Sequence, residues 1–168
     1  MIHITLSPHE MLMAGITGLS RQITNIRDKR VVAHNQPEDY SWQSHVEGAL
    51  GEYTVSKYLD KNWHGNLGKF RLADVGDTEV RTGSQPHYRL ILHPEDKDEA
   101  IFILVTGLNG TYDIRGWIYA WEGKKEEYWE DPKGGRPAYF PPQSILRPIE
   151  ELKELVKTEN LDSFHETD

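Results

Sequence analysis

Asp74-Val75-Gly76-Asp77-Thr78-Glu79-Val80-Arg81 is the stretch on which the reading of this chain turns. Side chains alternate along a strand, so Glu79 and Arg81 project from one face and Val80 points into the opposite layer. Gly76 marks a bend that sets Asp74 just ahead of the strand. Two carboxylates and a cation then meet at one sheet edge. Hard divalent cations bind through oxygen, often through one or two carboxylates with water and substrate phosphate. The spacing therefore predicts a candidate metal site at Asp74 and Glu79, with the Val80 carbonyl as an added ligand. The plain alternative is a turn carboxylate next to a surface ion pair between Glu79 and Arg81. Asp77 reads as a solvated turn residue, and as the fallback ligand if the register differs.

Upstream, residues 41–60 read as a helix that faces this edge. Gly48, Glu52, Val55 and Leu59 fall on one side at steps of four, three and four. Gly48, Ala49 and Gly51 lack bulk and permit close backbone approach. Glu52 is a carboxylate on an otherwise apolar stripe, and an unpaired buried charge is costly, so it joins the candidate site. Glu47 points elsewhere and reads as a surface or capping residue. Further upstream, Ser7-Pro8-His9-Glu10 has the form of a capping box and opens a helix over 8–27. Leu12, Ile16, Leu19, Ile23 and Ile26 make that helix amphipathic. On this reading no coiled-coil seam and no exposed apolar repeat is left to drive an assembly. Arg21, Arg27, Lys29 and Arg30, with Asp28 among them, read as a solvated helix end or as a phosphate contact. A loop with Asn35, Pro37 and Asp39 follows over 31–40.

Downstream the period changes to two. Residues 70–75, 78–82 and 88–92 read as short strands, broken at Gly76, Gly83 and Pro86. The charged loop 95–99 precedes 101–106, a continuous apolar run that suits a strand covered on both faces. Asn109-Gly110 is a hairpin signal, with 112–120 as the returning strand. Loop-rich sequence fills 123–142. Pro148 opens a short terminal helix with Ile149, Leu152, Leu155 and Val156, and residues 158–168 read as a frayed tail. Helices, strands and a last helix make a single α+β domain over 1–168.

Composition agrees with a globular chain: 37% hydrophobic and 27% charged residues. The absence of cysteine excludes a disulfide scaffold and cysteine-type zinc sites. The N-terminus is too short and polar for a signal peptide, and no apolar run reaches the ~18 residues that span a membrane, so the expectation is a soluble cytoplasmic protein without membrane contact. The net charge of −8 means that any nucleic-acid contact needs a local basic patch or metal ions. Arg115, Lys124, Lys125, Lys133 and Arg136 form a second, looser basic candidate. The eight histidines lack zinc-motif spacing; His45 and His87 read first as structural or exposed residues, with lining the site as the alternative. Trp117, Trp121 and Trp129 read as core or rim, with base stacking as the alternative.

Asp-x(4)-Glu-x-Arg between short strands, preceded by Gly48-Ala49-Leu50-Gly51-Glu52, resembles the PD-(D/E)XK nuclease superfamily, and small phage-encoded members above all. Gly116-Trp117-Ile118 and Tyr139-Phe140-Pro141-Pro142-Gln143-Ser144-Ile145-Leu146-Arg147 extend the likeness over about 42–152. The resemblance implies a restriction-endonuclease-like α+β fold: N-terminal helices, a central mixed β-sheet meander and a short C-terminal helix. It further implies metal-dependent hydrolysis of nucleic acid, DNA first among the substrates, with Mg²⁺ or Mn²⁺. Asp74 and Glu79 would be the acidic ligands, Glu52 the helix glutamate that contributes to the site, and Arg81 stands where the family has lysine. A guanidinium cannot act as a general base, but it can hold a phosphate and offset transition-state charge. Two expectations follow: an Arg-containing nuclease, or a catalytically inactive protein on the same fold that binds DNA or a host protein. The family also allows a homodimer, and a phage origin would place the protein in host cytoplasm.

Overall fold

A computed structural model describes residues 1–29, 40–63, 65, 74–132, 134 and 136–165. Arg30, Lys133, the expected loop up to residue 39 and positions 70–73 of the first expected strand lie outside them. In chain order the elements are β1 (Ile2–Thr5), α1 (Pro8–Arg27), α2 (Tyr40–Leu59), β2 (Thr78–Gly83), β3 (Ile101–Leu108), β4 (Thr111–Tyr119), the short α3 (Ala120–Gly123), β5 (Trp129–Glu130), β6 (Ala138–Tyr139) and α4 (Ile149–His165). The α+β class holds. No described helix is long and apolar enough to cross a membrane.

The main sheet is mixed, in the order β1-β4-β3-β2. β3 and β4 form the expected hairpin, because Asn109 and Gly110 both take positive φ at its tip. β2 runs parallel to β3, so the connection between them must cross over the sheet. That connection is not a helix. It includes the segment expected to form a strand at 88–92, which instead joins the rest through a single bridge from Leu92 to Tyr139. Leu90 and Leu92 are fully buried there, packed with Phe102, Leu104 and Ile118. Apolar burial rather than strand pairing decides this segment's shape. β1 was not expected. Its Ile2 and Ile4 alternate with exposed His3 and Thr5, and it pairs antiparallel to β4.

The opposite sheet face, with Val80, Ile103, Val105, Ile114 and Trp117, packs on Leu50, Val55 and Leu59 of α2 and on Ile149 and Leu152 of α4. The terminal helix is longer than expected and reaches His165. Gly51 explains how α2 comes so close to the sheet: a Cβ there would collide with the Thr82 side chain.

α1 begins with the expected capping box, Glu10 N–H donating to Ser7 Oγ at 3.3 Å and Ser7 N–H to Glu10 Oε2 at 2.6 Å. Its apolar stripe, however, does not face the core. Leu12, Ile16, Leu19, Ile23 and Ile26 are 43–60% exposed, while Ala14, Gly18 and Gln22 are buried against α2. A Cβ on Gly18 would lie 2.5 Å from the Val46 Cα. Small residues win this interface because they allow the backbones to touch, and Gln22 is satisfied by a 2.8 Å bond to Ser41 Oγ. An exposed apolar repeat therefore exists after all.

Candidate functional site

The chain from Asp74 to Arg81 folds back on itself before entering β2. Gly76 takes a φ of 58°, and Val75 and Thr78 exchange backbone hydrogen bonds of 3.1 and 3.0 Å. Thr78 Oγ1 adds a third bond to the Val75 carbonyl at 2.7 Å. This tight turn swings Asp74 back alongside the strand, where its Oδ2 accepts the Val80 N–H at 2.8 Å. Val80 thus meets the cluster through its N–H. Asp77 is exposed in the turn.

Glu79 and Arg81 share a face, as expected, but it is the face of Phe102 and the crossover, not the face of α2. The Arg81 guanidinium lies 4.8 Å from the Phe102 ring centre. It stands 3.8 Å from Glu79 Oε2 and 3.4 Å from Asp96 Oδ1. Asp96 comes from the charged loop and also accepts the His93 N–H at 2.8 Å. Lys124 pins the same loop, donating to the Asp96 and Pro94 carbonyls and to Asp98 Oδ1. The Glu79 carboxyl acts on Asp74 through its charge, which couples the strand face to the turn.

Glu52 approaches Asp74 from α2. It is buried, and Arg21 of α1 clasps it with two parallel bonds of 2.5 and 2.7 Å. Trp63 Nε1 donates to it as well, at 3.1 Å. Arg21 therefore turns inward from the basic stretch that was read as a solvated end, while Arg27 pairs with Asp28. His45 bonds to Asn25 at 3.0 Å beside Arg21, and burial followed by the Arg21 charge holds its pKa low. His87 is exposed against Tyr88. Glu47 lies apart from the cluster: it accepts the Tyr112 hydroxyl and the Asn109 N–H, tying α2 to the hairpin tip.

The electrostatics follow from this crowding. Four carboxylates (Glu52, Asp74, Glu79 and Asp96) face two guanidiniums (Arg21 and Arg81). Burial, then the charge of Glu52, raises the Asp74 pKa to about 7, against the pull of the Val80 N–H. Burial also raises Glu79, with Asp96 and Glu52 adding to it and Arg81 opposing. Carboxyl groups crowded together out of water favour a proton or a cation among them.

Oxygen donors of this kind fit Mg²⁺ or Mn²⁺, which are commonly held by one or two carboxylates, the rest of the shell being water and substrate. Asp74 and Glu79 supply such a pair, whereas both Glu52 oxygens are already engaged. Among the described residues no three acidic or histidine side chains converge into a ready cation cage.

Sequence reasoning did not join Arg21, which it read as a solvated helix end or a phosphate contact, to Glu52, and it missed Trp63 and Asp96. The signal for Arg21 lay in the small residues Ala14 and Gly18, which place it on the packed side of α1. Nothing in the sequence connects Asp96 to Arg81, since they stand fifteen positions apart across the end of β2 and an irregular connection. Three described members of the second basic candidate pair with nearby carboxylates. Arg115 pairs with Asp113, Lys124 with Asp98 and Arg136 with Glu95. Trp117 is core, while Trp121 and Trp129 are exposed at the rim. Compared with protein-family models, with curated proteins and with solved structures, the chain gives no significant match.

Proposed function

We propose that the chain is a metal-dependent nuclease that hydrolyses phosphodiester bonds of nucleic acid, DNA first among them, on a restriction-endonuclease-like fold. The observation that carries this reading is the crowding of the Glu52 and Glu79 charges on a buried Asp74 that is anchored to the Val80 N–H at the edge of a mixed sheet. Asp74 and Glu79 would hold Mg²⁺ or Mn²⁺, and the bound cation would lower the pKa of water and neutralise charge on the phosphate. The chain's own residues do the rest. The Val80 N–H fixes the Asp74 carboxylate in place. Arg81, whose contacts to Glu79 and Asp96 are long at 3.4–3.8 Å, offers paired N–H donors to a phosphate oxygen and stabilises the charge that builds there. The Arg21–Glu52 clasp fixes a negative charge beside Asp74. Without a cation, that charge favours a proton on Asp74. The order helix Glu52, turn Asp74, strand Glu79 and Arg81 supports the likeness to small phage-encoded nucleases, with host cytoplasm as the matching location.

The test is cleavage of linear duplex, supercoiled plasmid, single-stranded DNA and RNA in Mg²⁺ and in Mn²⁺, with Asp74→Ala in parallel. Metal-dependent cleavage that is lost in the variant is expected. Thermal stability should also rise with added Mn²⁺ in the wild type and not in Asp74→Ala, since a ligand of the folded state stabilises it. A folded wild type that neither cleaves nor responds to either metal overturns the reading.

One observation favours a second reading. Both guanidiniums of the cluster already pair with protein carboxylates, Arg21 with Glu52 and Arg81 with Glu79 and Asp96. A catalytically inactive nuclease-fold protein that binds DNA or another protein would keep such a self-satisfied site. It predicts no metal response and retained partner binding after Glu79→Ala.

A further inference from the structure

The apolar stripe of α1 lies on the side of that helix away from α2, and the catalytic reading does not use it. Leu12, Ile16, Leu19, Ile23 and Ile26 follow at steps of four, three, four and three, the 3.5-residue repeat of a coiled-coil seam. Isoleucine falls at both a positions, 16 and 23, and leucine or isoleucine at the three d positions, 12, 19 and 26. β-Branched residues at a with leucine at d favour a two-stranded pairing. Met13 widens the strip and is itself 51% exposed. Five large apolar side chains on a seam, each 43–60% open to water, are not scattered surface residues.

We propose that α1 is a self-association surface whose occupant is α1 of a second copy of this chain. Area decides for a second copy. The six side chains leave about 500–600 Å² of apolar surface per copy, at the upper end of the largest patch that a monomer carries. Two such faces together hide about 1,000–1,200 Å², and flanking residues add to this, so the pair clears the threshold for a specific interface. An isologous contact about a two-fold axis matches the strip to itself without any second surface. The seam is also self-consistent in charge. Its flanking positions Gly15 and Ser20 are uncharged, and the basic end carries its own Arg27–Asp28 pair. The interface backs onto the candidate site, because Arg21 reaches Glu52 from the packed side of the same helix.

The test is sedimentation equilibrium of the full chain across 1–200 µM, beside Ile16→Glu/Ile23→Glu. The wild type should approach twice its 19.4 kDa as concentration rises, and the variant should remain at 19.4 kDa with its dissociation constant raised at least 100-fold. Because both positions are exposed in the single chain, the variant should keep its circular dichroism spectrum. A misfolded variant is replaced by Leu19→Cys. The chain has no cysteine of its own, and position 19 is the middle of the seam, so oxidation should give a covalent dimer for either helix direction. A wild type that stays monomeric at 200 µM, or a folded glutamate variant that still dimerises, overturns the proposal.

Discussion

Asp74→Asn should make the protein more stable at pH 8 and leave it unchanged at pH 3. Asp74 ionises near 3.8 in an ordinary setting and near 7 in the folded chain. Its folded-state pKa is therefore raised, so the native state binds the extra proton. The stability that this proton confers is full below about 4 and is lost as pH rises through about 7. The gap between 3.8 and about 7 corresponds to a ceiling of about 4 kcal/mol. Relaxation of the turn and water reaching the carboxylates should reduce this to roughly 2 kcal/mol. Asparagine is nearly isosteric, its oxygen can still accept the Val80 N–H, and it carries no charge to repel Glu52 or Glu79. The gain from the substitution should thus be near zero at pH 3, grow between 4 and 7, and level off above 7. In a domain of this size roughly 2 kcal/mol moves Tm by about 4–8 °C. The assay is thermal and urea unfolding of both proteins at pH 3, 5, 7 and 8 at fixed salt. A gain that does not vary with pH, or a loss at pH 8, refutes the argument that a crowded buried charge sits at position 74.

Arg21→Ala leaves the Glu52 carboxylate buried with Trp63 as its remaining described donor, and should cost about 3–5 kcal/mol in urea unfolding. Arg21→Ala/Glu52→Gln should recover a good part of that loss, and strictly additive effects would show that the two groups are not coupled. Gly51→Ala drives a methyl group into Thr82 and should cost about 1–3 kcal/mol, most of it restored in a Thr82→Ala background. Equal costs in both backgrounds would place the strain elsewhere.

Much of the architecture was legible where local chemistry and tertiary packing agree. The Ser7–Glu10 capping box, the Asn109-Gly110 hairpin and the buried run of β3 each have a local cause that the rest of the fold does not oppose. Reading failed where packing chose against local pattern. A period of 3.5 marks an apolar face but not the side on which the core lies, and α1 buries its small residues instead. Residues 88–92 alternate like a strand, yet they are held by apolar contacts of Leu90 and Leu92 within the crossover. β1 was too short to carry a signal of its own. The candidate site divides in the same way. Asp74, Glu79 and Arg81 lie within eight positions, so one turn and one strand bring them together. Arg21, Trp63 and Asp96 reach the cluster from separate parts of the chain, and their contribution depends on the helix crossing at Gly18 and the path of the crossover.

The bond from the Val80 N–H to Asp74 has a consequence beyond the chemistry of the cluster. β2 is the outermost strand of its sheet, and an outermost strand offers its unpaired backbone groups as a template for strands of other molecules. Asp74 spends a carboxylate oxygen on one of those donors and sets negative charge against the rim, while the folded-back Val75–Thr78 turn covers the start of the strand. An incoming extended chain would have to displace that turn and desolvate the carboxylate before its first ladder bond could form. The crowding that lifts the Asp74 pKa thus also guards the sheet against growth by strand addition, and substitutions at position 74 are expected to trade that protection against stability.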